Sequence, residues 1–135
     1  MRYPVDVMAT SCGFIVFCRD LQEAQGYGIT KTEALTSCQD ALIAVFDEFF
    51  CHRVPIPLPS NGGDETIEIP CSIAAKVMLL NEVIEQNVSQ TDLAKMLNLP
   101  RQEITRIFNL SHTTKIDTIQ KALTALGKTL LIRVV

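Results

Sequence analysis

Arg101, Gln102, Thr105 and Arg106 are four polar side chains within six residues, interleaved with the apolar Ile104 and Ile107. At helical spacing the two isoleucines share one face and the four polar groups the other. An arginine can pair with guanine through two hydrogen bonds, and a glutamine amide can do the same with adenine. A threonine can reach a phosphate or a thymine methyl. Such groups need a rigid carrier, and the preceding residues supply one. Ser89 with Asp92 three positions on is a helix-capping signature. Leu93, Ala94 and Leu97 have the spacing of a core-facing stripe, and Ala94 is small where two helices would cross. Asn98 tolerates the left-handed backbone of a sharp turn, Leu99 can anchor that turn, and Pro100 suits the first position of a new helix. Two short helices are therefore expected over 89–97 and 100–108. A merely structural hairpin with a solvated face would also show this pattern. The agreement of six positions at once, in the basic half of the chain, favours DNA. The candidate contacts are Gln90, Arg101, Gln102, Thr105 and Arg106, with His112 and Lys115 from the loop before the last helix.

The segment resembles the Xre/Cro-type repressors. Gln90, Leu93-Ala94 and Ile104-Thr105-Arg106 match their pattern, while Asn98 stands for the usual Gly and Pro100 for the usual Ser or Thr.

Around this motif the hydrophobic period predicts the rest. Ser72 can cap a helix with Ile73, Val77, Leu80 and Ile84 on one face, and a last helix over about 115–126 follows Thr114 and stops at Gly127. The tail Thr129–Val135 has strong β character but no adjacent strand to pair with. Upstream, residues 2–8 alternate as a strand with an edge-tolerant Pro4, Phe14–Cys18 reads as its hairpin partner, and Glu23–Gly28 as a weaker third strand. Thr30 and Glu33 form a capping box opening an amphipathic helix that ends at Val54-Pro55. An extended Pro55–Pro59 segment, a glycine-rich loop and a short strand through Ile67 and Ile69 complete this half.

The 135 residues are 47% apolar and 20% charged, a globular composition that excludes disordered and collagenous classes. The longest unbroken apolar run is six residues, Ala41–Phe46, against the ~20 needed to span a bilayer. Met1–Asp6 lacks a signal-peptide core, so a cytoplasmic protein without a membrane partner is expected. Residues 1–70 carry four basic and ten acidic groups, net −6; residues 71–135 carry eight and five, net +3. Such asymmetry suggests two partners of opposite charge. The five cysteines are odd in number and have no C-x-x-C, which points to buried free thiols and no zinc site.

The first half resembles the HicB family of type II antitoxins. Tyr3-Pro4-Val5, Gly13-Phe14-Ile15-Val16, Gly28–Leu35 and Ile56–Ser60 carry the likeness, which extends through Ser111–Ile119. Leu21–Gln25 and Ile29 depart from the family's pattern. The resemblance implies an α+β chain: a degenerate RNase H-like β-β-β-α-β domain over 1–66, then an all-α helix-turn-helix domain with a C-terminal β-strand over 67–135. It implies binding of the RNA-cleaving HicA-type toxin, repression of the chain's own operon through operator DNA, and a homodimer or higher homo-oligomer. No cofactor and no enzymatic activity are expected. Asp6, Asp20, Asp40 and Asp47 do not form the matched cluster that metal-dependent hydrolysis needs, and His52, a possible general base in isolation, reads as a polar residue after a helix end, where a cation is favoured. The alternative is a stand-alone repressor whose first domain senses a small-molecule ligand.

Overall fold

The computed structural model describes residues 1–135. Its elements are β1 (Arg2–Thr10), β2 (Gly13–Cys18), β3 (Gln25–Gly28), α1 (Lys31–His52), β4 (Glu65–Glu68), α2 (Cys71–Glu85), α3 (Gln90–Leu97), α4 (Arg101–Ile107) and α5 (Ile116–Ala125). They form two compact units, one of residues 1–49 and 56–71, the other of residues 50–55 and 72–135. A division after residue 66 would cut β4, whose Ile67 is buried with the sheet. No helix is long and apolar enough to cross a membrane.

In the first unit the sheet runs β3-β2-β1-β4 with every neighbour antiparallel. A two-residue loop, Ser11-Cys12, closes the first hairpin, because Thr10 pairs with Gly13. β1 is thus an inner strand, not the edge that Pro4 suggested. The chain tolerates Pro4 because its carbonyl accepts from the Arg19 amide just beyond the last β1–β2 pair, Val5 with Cys18. N–H and C=O of one strand residue point to the same neighbour, so the missing donor falls where that ladder stops.

Alternation sorts the sheet into two faces. Tyr3, Val5, Val16 and Cys18 are buried together with Ala34, Cys38, Leu42 and Phe46 of α1. The Tyr3 and Phe46 rings lie 5.7 Å apart, and the Tyr3 hydroxyl donates to the Pro57 carbonyl at 2.7 Å, tying the proline segment to the sheet. α1 lies so close to β3 that a Cβ on Gly26 would stand 2.3 Å from the Cys38 nitrogen and 2.4 Å from the Ala34 oxygen. On the other face Met8, Ile15, Phe17 and Tyr27 form cross-strand neighbours that remain half-buried or exposed.

The Thr30 hydroxyl caps the Glu33 amide as expected, while Glu33 reaches past Thr30 to the Ile29 amide. α1 ends one residue ahead of the proline signal, because Arg53 turns left-handed at φ 50°. Cys18 and Cys38 are buried, and burial pushes the Cys38 thiol up to about 11. Cys12, Cys51 and Cys71 are exposed, so burial accounts for only two of the five thiols.

The second unit packs α2, α3, α4 and α5 around Ala75, Leu79, Val83, Leu93, Ile104, Ile107, Ile119, Ala122, Leu123 and Leu126. α2 begins at Cys71, ahead of the Ser72 cap, and uses more than the single face read from its sequence. α5 begins after Lys115; the Thr114 hydroxyl is buried and partnerless, not a cap. Gln86, just past the end of α2, donates to the Leu126 carbonyl at the end of α5. The C-terminal strand is absent from the single chain: residues 128–135 form no helix or strand, and Leu131, Ile132, Val134 and Val135 are 75–97% exposed. A strand needs a neighbour, and this unit offers only helices.

The glycine contact sets a test. Gly26→Ala places a methyl against backbone on α1, so the sheet unit should lose about 1–3 kcal/mol, the usual cost of overpacking. Denaturant unfolding followed at Tyr3 and Tyr27 measures this, and an unchanged midpoint would refute the close approach.

Candidate nucleic-acid interface

Local chemistry fixes the α3–α4 corner. The Ser89 hydroxyl accepts from the Asp92 amide at 3.0 Å while the Asp92 carboxylate accepts from the Ser89 amide at 3.1 Å, a reciprocal capping box. These hydrogen bonds hold the Asp92 carboxyl below the ordinary carboxylate range. At the far end Asn98 adopts φ 53°, ψ 46°, and the Leu99 amide returns to the Ala94 carbonyl at 3.0 Å. The side chain of Leu99 packs against the core below. Pro100 is extended (φ −60°, ψ 148°) and precedes α4, so Arg101, not Pro100, is the first helical residue. Pro100 thus serves as the N-cap, and its carbonyl accepts from the Glu103 amide at 3.0 Å.

Ile104 and Ile107 are buried, and Arg101, Gln102, Thr105 and Arg106 are exposed on the opposite side of α4. Arg101 donates to the Thr91 hydroxyl at 3.0 Å, which braces the start of α4 against α3. Between them lies an open concavity of about 500 Å³ bordered by Thr91, Lys95, Asn98 and Arg101. The Arg106 guanidinium is paired with Glu103 at 2.8 Å, and the Thr105 hydroxyl donates to the Arg101 carbonyl at 3.1 Å. Both are exposed groups whose partners can be exchanged for a ligand. Gln90 is half-buried at the first position of α3. His112 and Lys115 are exposed in the segment between α4 and α5.

One side chain of this region was missed by sequence reasoning. Lys76 is 2% exposed, yet its ammonium donates to the carbonyls of Arg106 (3.3 Å), Asn109 (2.7 Å) and His112 (2.6 Å). Three N–H groups thus meet three carbonyls at and beyond the C-terminal end of α4, where the helix dipole favours a cation. Burial lowers its pKa. The available signal was a single charge inside the otherwise apolar stretch Ile73–Leu80.

The carboxylates weighed for catalysis are held apart in other roles. Asp6 binds Arg19 through two hydrogen bonds of 2.7 and 2.9 Å, and this pairing holds its carboxyl below the ordinary range. Asp20 accepts from the Ser60 amide and hydroxyl. Asp40 and Asp47 are exposed on α1. No group of three His, Cys, Asp or Glu side chains converges anywhere in the chain.

Two consecutive helices joined by a left-handed turn, the second exposing arginine and glutamine, define a helix-turn-helix DNA-binding unit, here attached to a small antiparallel sheet unit. Residues 80–132 match the helix-turn-helix family model, and residues 2–78 match a model described as HicB-like antitoxin of bacterial toxin–antitoxin systems. The chain is 49% identical over 128 residues to Antitoxin HicB 2 of Photorhabdus laumondii, covering 95% of this chain and 92% of that one. It is 45% identical over 133 residues to Antitoxin HicB of Escherichia coli, covering 96% of each, and 32% identical to Antitoxin HicB of Pseudomonas fluorescens over 98% of this chain and 93% of that one. The chain belongs to the HicB antitoxin family, a family of DNA-binding antitoxins and not of enzymes.

Lys76→Met removes three buried donors while keeping the volume. Stranded carbonyls cost about 1–3 kcal/mol each at most, so the helical unit should be destabilised and the sheet unit unaffected. Amide exchange should accelerate across residues 107–114. Wild-type protection there would show that Lys76 does not hold this segment.

Proposed function

We propose that the sheet unit binds and neutralises a small RNA-cleaving toxin of the HicA type, and that the chain, as a dimer, represses its own operon through the helix-turn-helix. The observation that carries this reading is the separation of charge between the units. The sheet unit holds three basic and ten acidic residues, net −7; the helical unit holds nine and five, net +4. A protein that binds RNA is basic, and an acidic surface attracts it while repelling DNA. The five free thiols suit action in the reducing cytoplasm.

The open face of the sheet is the surface proposed for the toxin. Met8 and Tyr27 are about half exposed there, with Ile15 between them in the ladder. Beside them a shallow groove of about 340 Å³ is bordered by Asp6, Phe17, Arg19 and Gln25. An apolar centre with a charged rim is the usual anatomy of a protein-binding patch.

The DNA reading assigns Arg101 and Gln102 to bases, with Gln90, Thr105, Arg106, His112 and Lys115 on bases or phosphates. Recognition helices of a two-fold pair enter successive major grooves roughly 34–36 Å apart, so tight operator binding calls for a dimer. The tail supports a means. Four large apolar residues on an unpaired segment gain backbone partners and burial when they pair with their copy across a two-fold axis.

Arg101→Ala with Arg106→Ala should abolish operator preference in a mobility-shift titration; a single base contact accounts for about 1–3 kcal/mol of discrimination. Undiminished operator binding would overturn the assignment. Deleting residues 129–135 should give a monomer by light scattering, with operator affinity at the non-specific level. Co-expressed toxin should still co-purify with the deleted chain but not with Met8→Arg/Tyr27→Arg. A deleted chain that stays dimeric, or a double variant that still retains and inhibits the toxin, contradicts the corresponding half of the proposal.

A further inference from the structure

Arg53 is the residue that closes α1, and it does so at a conformational cost. Its φ of 50° places it in the left-handed region, where glycine or asparagine is the inexpensive choice. A long charged side chain in that position implies that the side chain is used. Its guanidinium donates to the Val88 carbonyl at 2.7 Å, immediately before the Ser89 cap of α3. It also borders a crevice with Phe50, Gln90 and Phe108. Residues 50–55 belong to the helical unit, so this placement is internal to that unit.

We infer that Arg53 contacts the DNA phosphate backbone and extends the operator surface beyond the helix-turn-helix to the end of α1. The first helix of such a motif crosses the DNA backbone, and here its N-terminal end carries Gln90, one of the contacts proposed above. Arg53 stands beside that end, next to Gln90, and is exposed. A guanidinium has five donors in a planar fork, and the bond to Val88 orients the fork while leaving others to face a phosphate. The nearest acid in the cap, Asp92, already accepts from the Ser89 amide and is held in the capping box. The contact reads no base. It adds one unit of sequence-independent electrostatic attraction at a fixed distance from the reading helix, which sets register without specifying sequence.

The inference rests on the helix-turn-helix face being the DNA surface, and the experiment separates the two. Full-length wild type, Arg53→Gln and Arg53→Lys are titrated with operator duplex and with a scrambled duplex across a salt series. Gln keeps a donor for Val88 and removes the charge; Lys keeps the charge. Arg53→Gln should weaken both duplexes by the same factor and lower the salt slope by about 0.9, the value of one phosphate contact. Arg53→Lys should recover that slope. In wild type, the Arg53 Nε–H resonance should shift on adding the scrambled duplex. An unchanged slope in Arg53→Gln, a change confined to operator DNA, or an unmoved resonance overturns the inference. If Arg101→Ala/Arg106→Ala also leaves operator binding intact, the DNA surface itself is misassigned; if that variant loses the operator, only Arg53 is.

Discussion

A helix of seven residues cannot hold itself together in water, since isolated helices shorter than about 12–15 residues are marginal. α4 has seven, and it presents the arginines and glutamine that face outward. Its direction is therefore set by what grips it. Ahead of it stands the left-handed Asn98 with Leu99 seated in the core. Beneath it are Ile104 and Ile107, and behind it the ammonium of Lys76 holds the Arg106 carbonyl and the segment that follows. Arg101 adds a brace to Thr91. Together these restraints fix the direction in which the outward-facing guanidinium groups project.

Two of these restraints use energetically costly groups: a buried cation and a non-glycine residue in left-handed backbone. The sheet unit reaches order by cheaper means. Three of its four strands are neighbours in sequence, its helix packs onto glycines, and its exposed ion pair Arg19–Asp6 is short and two-pronged. Exposed pairs of this kind add little to stability. The two units therefore differ in how order is obtained as well as in charge.

What the sequence disclosed follows the range of each interaction. The Ser89–Asp92 box, the turn at Asn98, the inward isoleucines of α4 and the first hairpin all depend on residues within a few positions of each other, and all were legible. The boundary of α4 slipped by one residue because Pro100 is almost as well suited to precede a helix as to begin it. Pro4 was read as an edge residue because its local chemistry says so; that β4 pairs on its other side is a contact more than 60 residues away. Lys76 and Arg53 were invisible as site residues for the same reason, their partners lying 30–36 and 35 positions distant. The tail was read as a strand from its composition, but a single chain supplies no edge to receive it.

The path of the chain through the two units has an evolutionary consequence. The backbone leaves the sheet unit after Phe49, returns at Ile56 and leaves again after Cys71, so three crossings connect the units. A module joined by one linker can be exchanged by a single recombination event. Here a crossover anywhere between residues 50 and 71 would separate the last turn of α1 from the helices it packs with, or β4 from β1. A single crossover in that span is therefore expected to disrupt one unit or the other, whereas substitutions on their outer faces leave both folds intact.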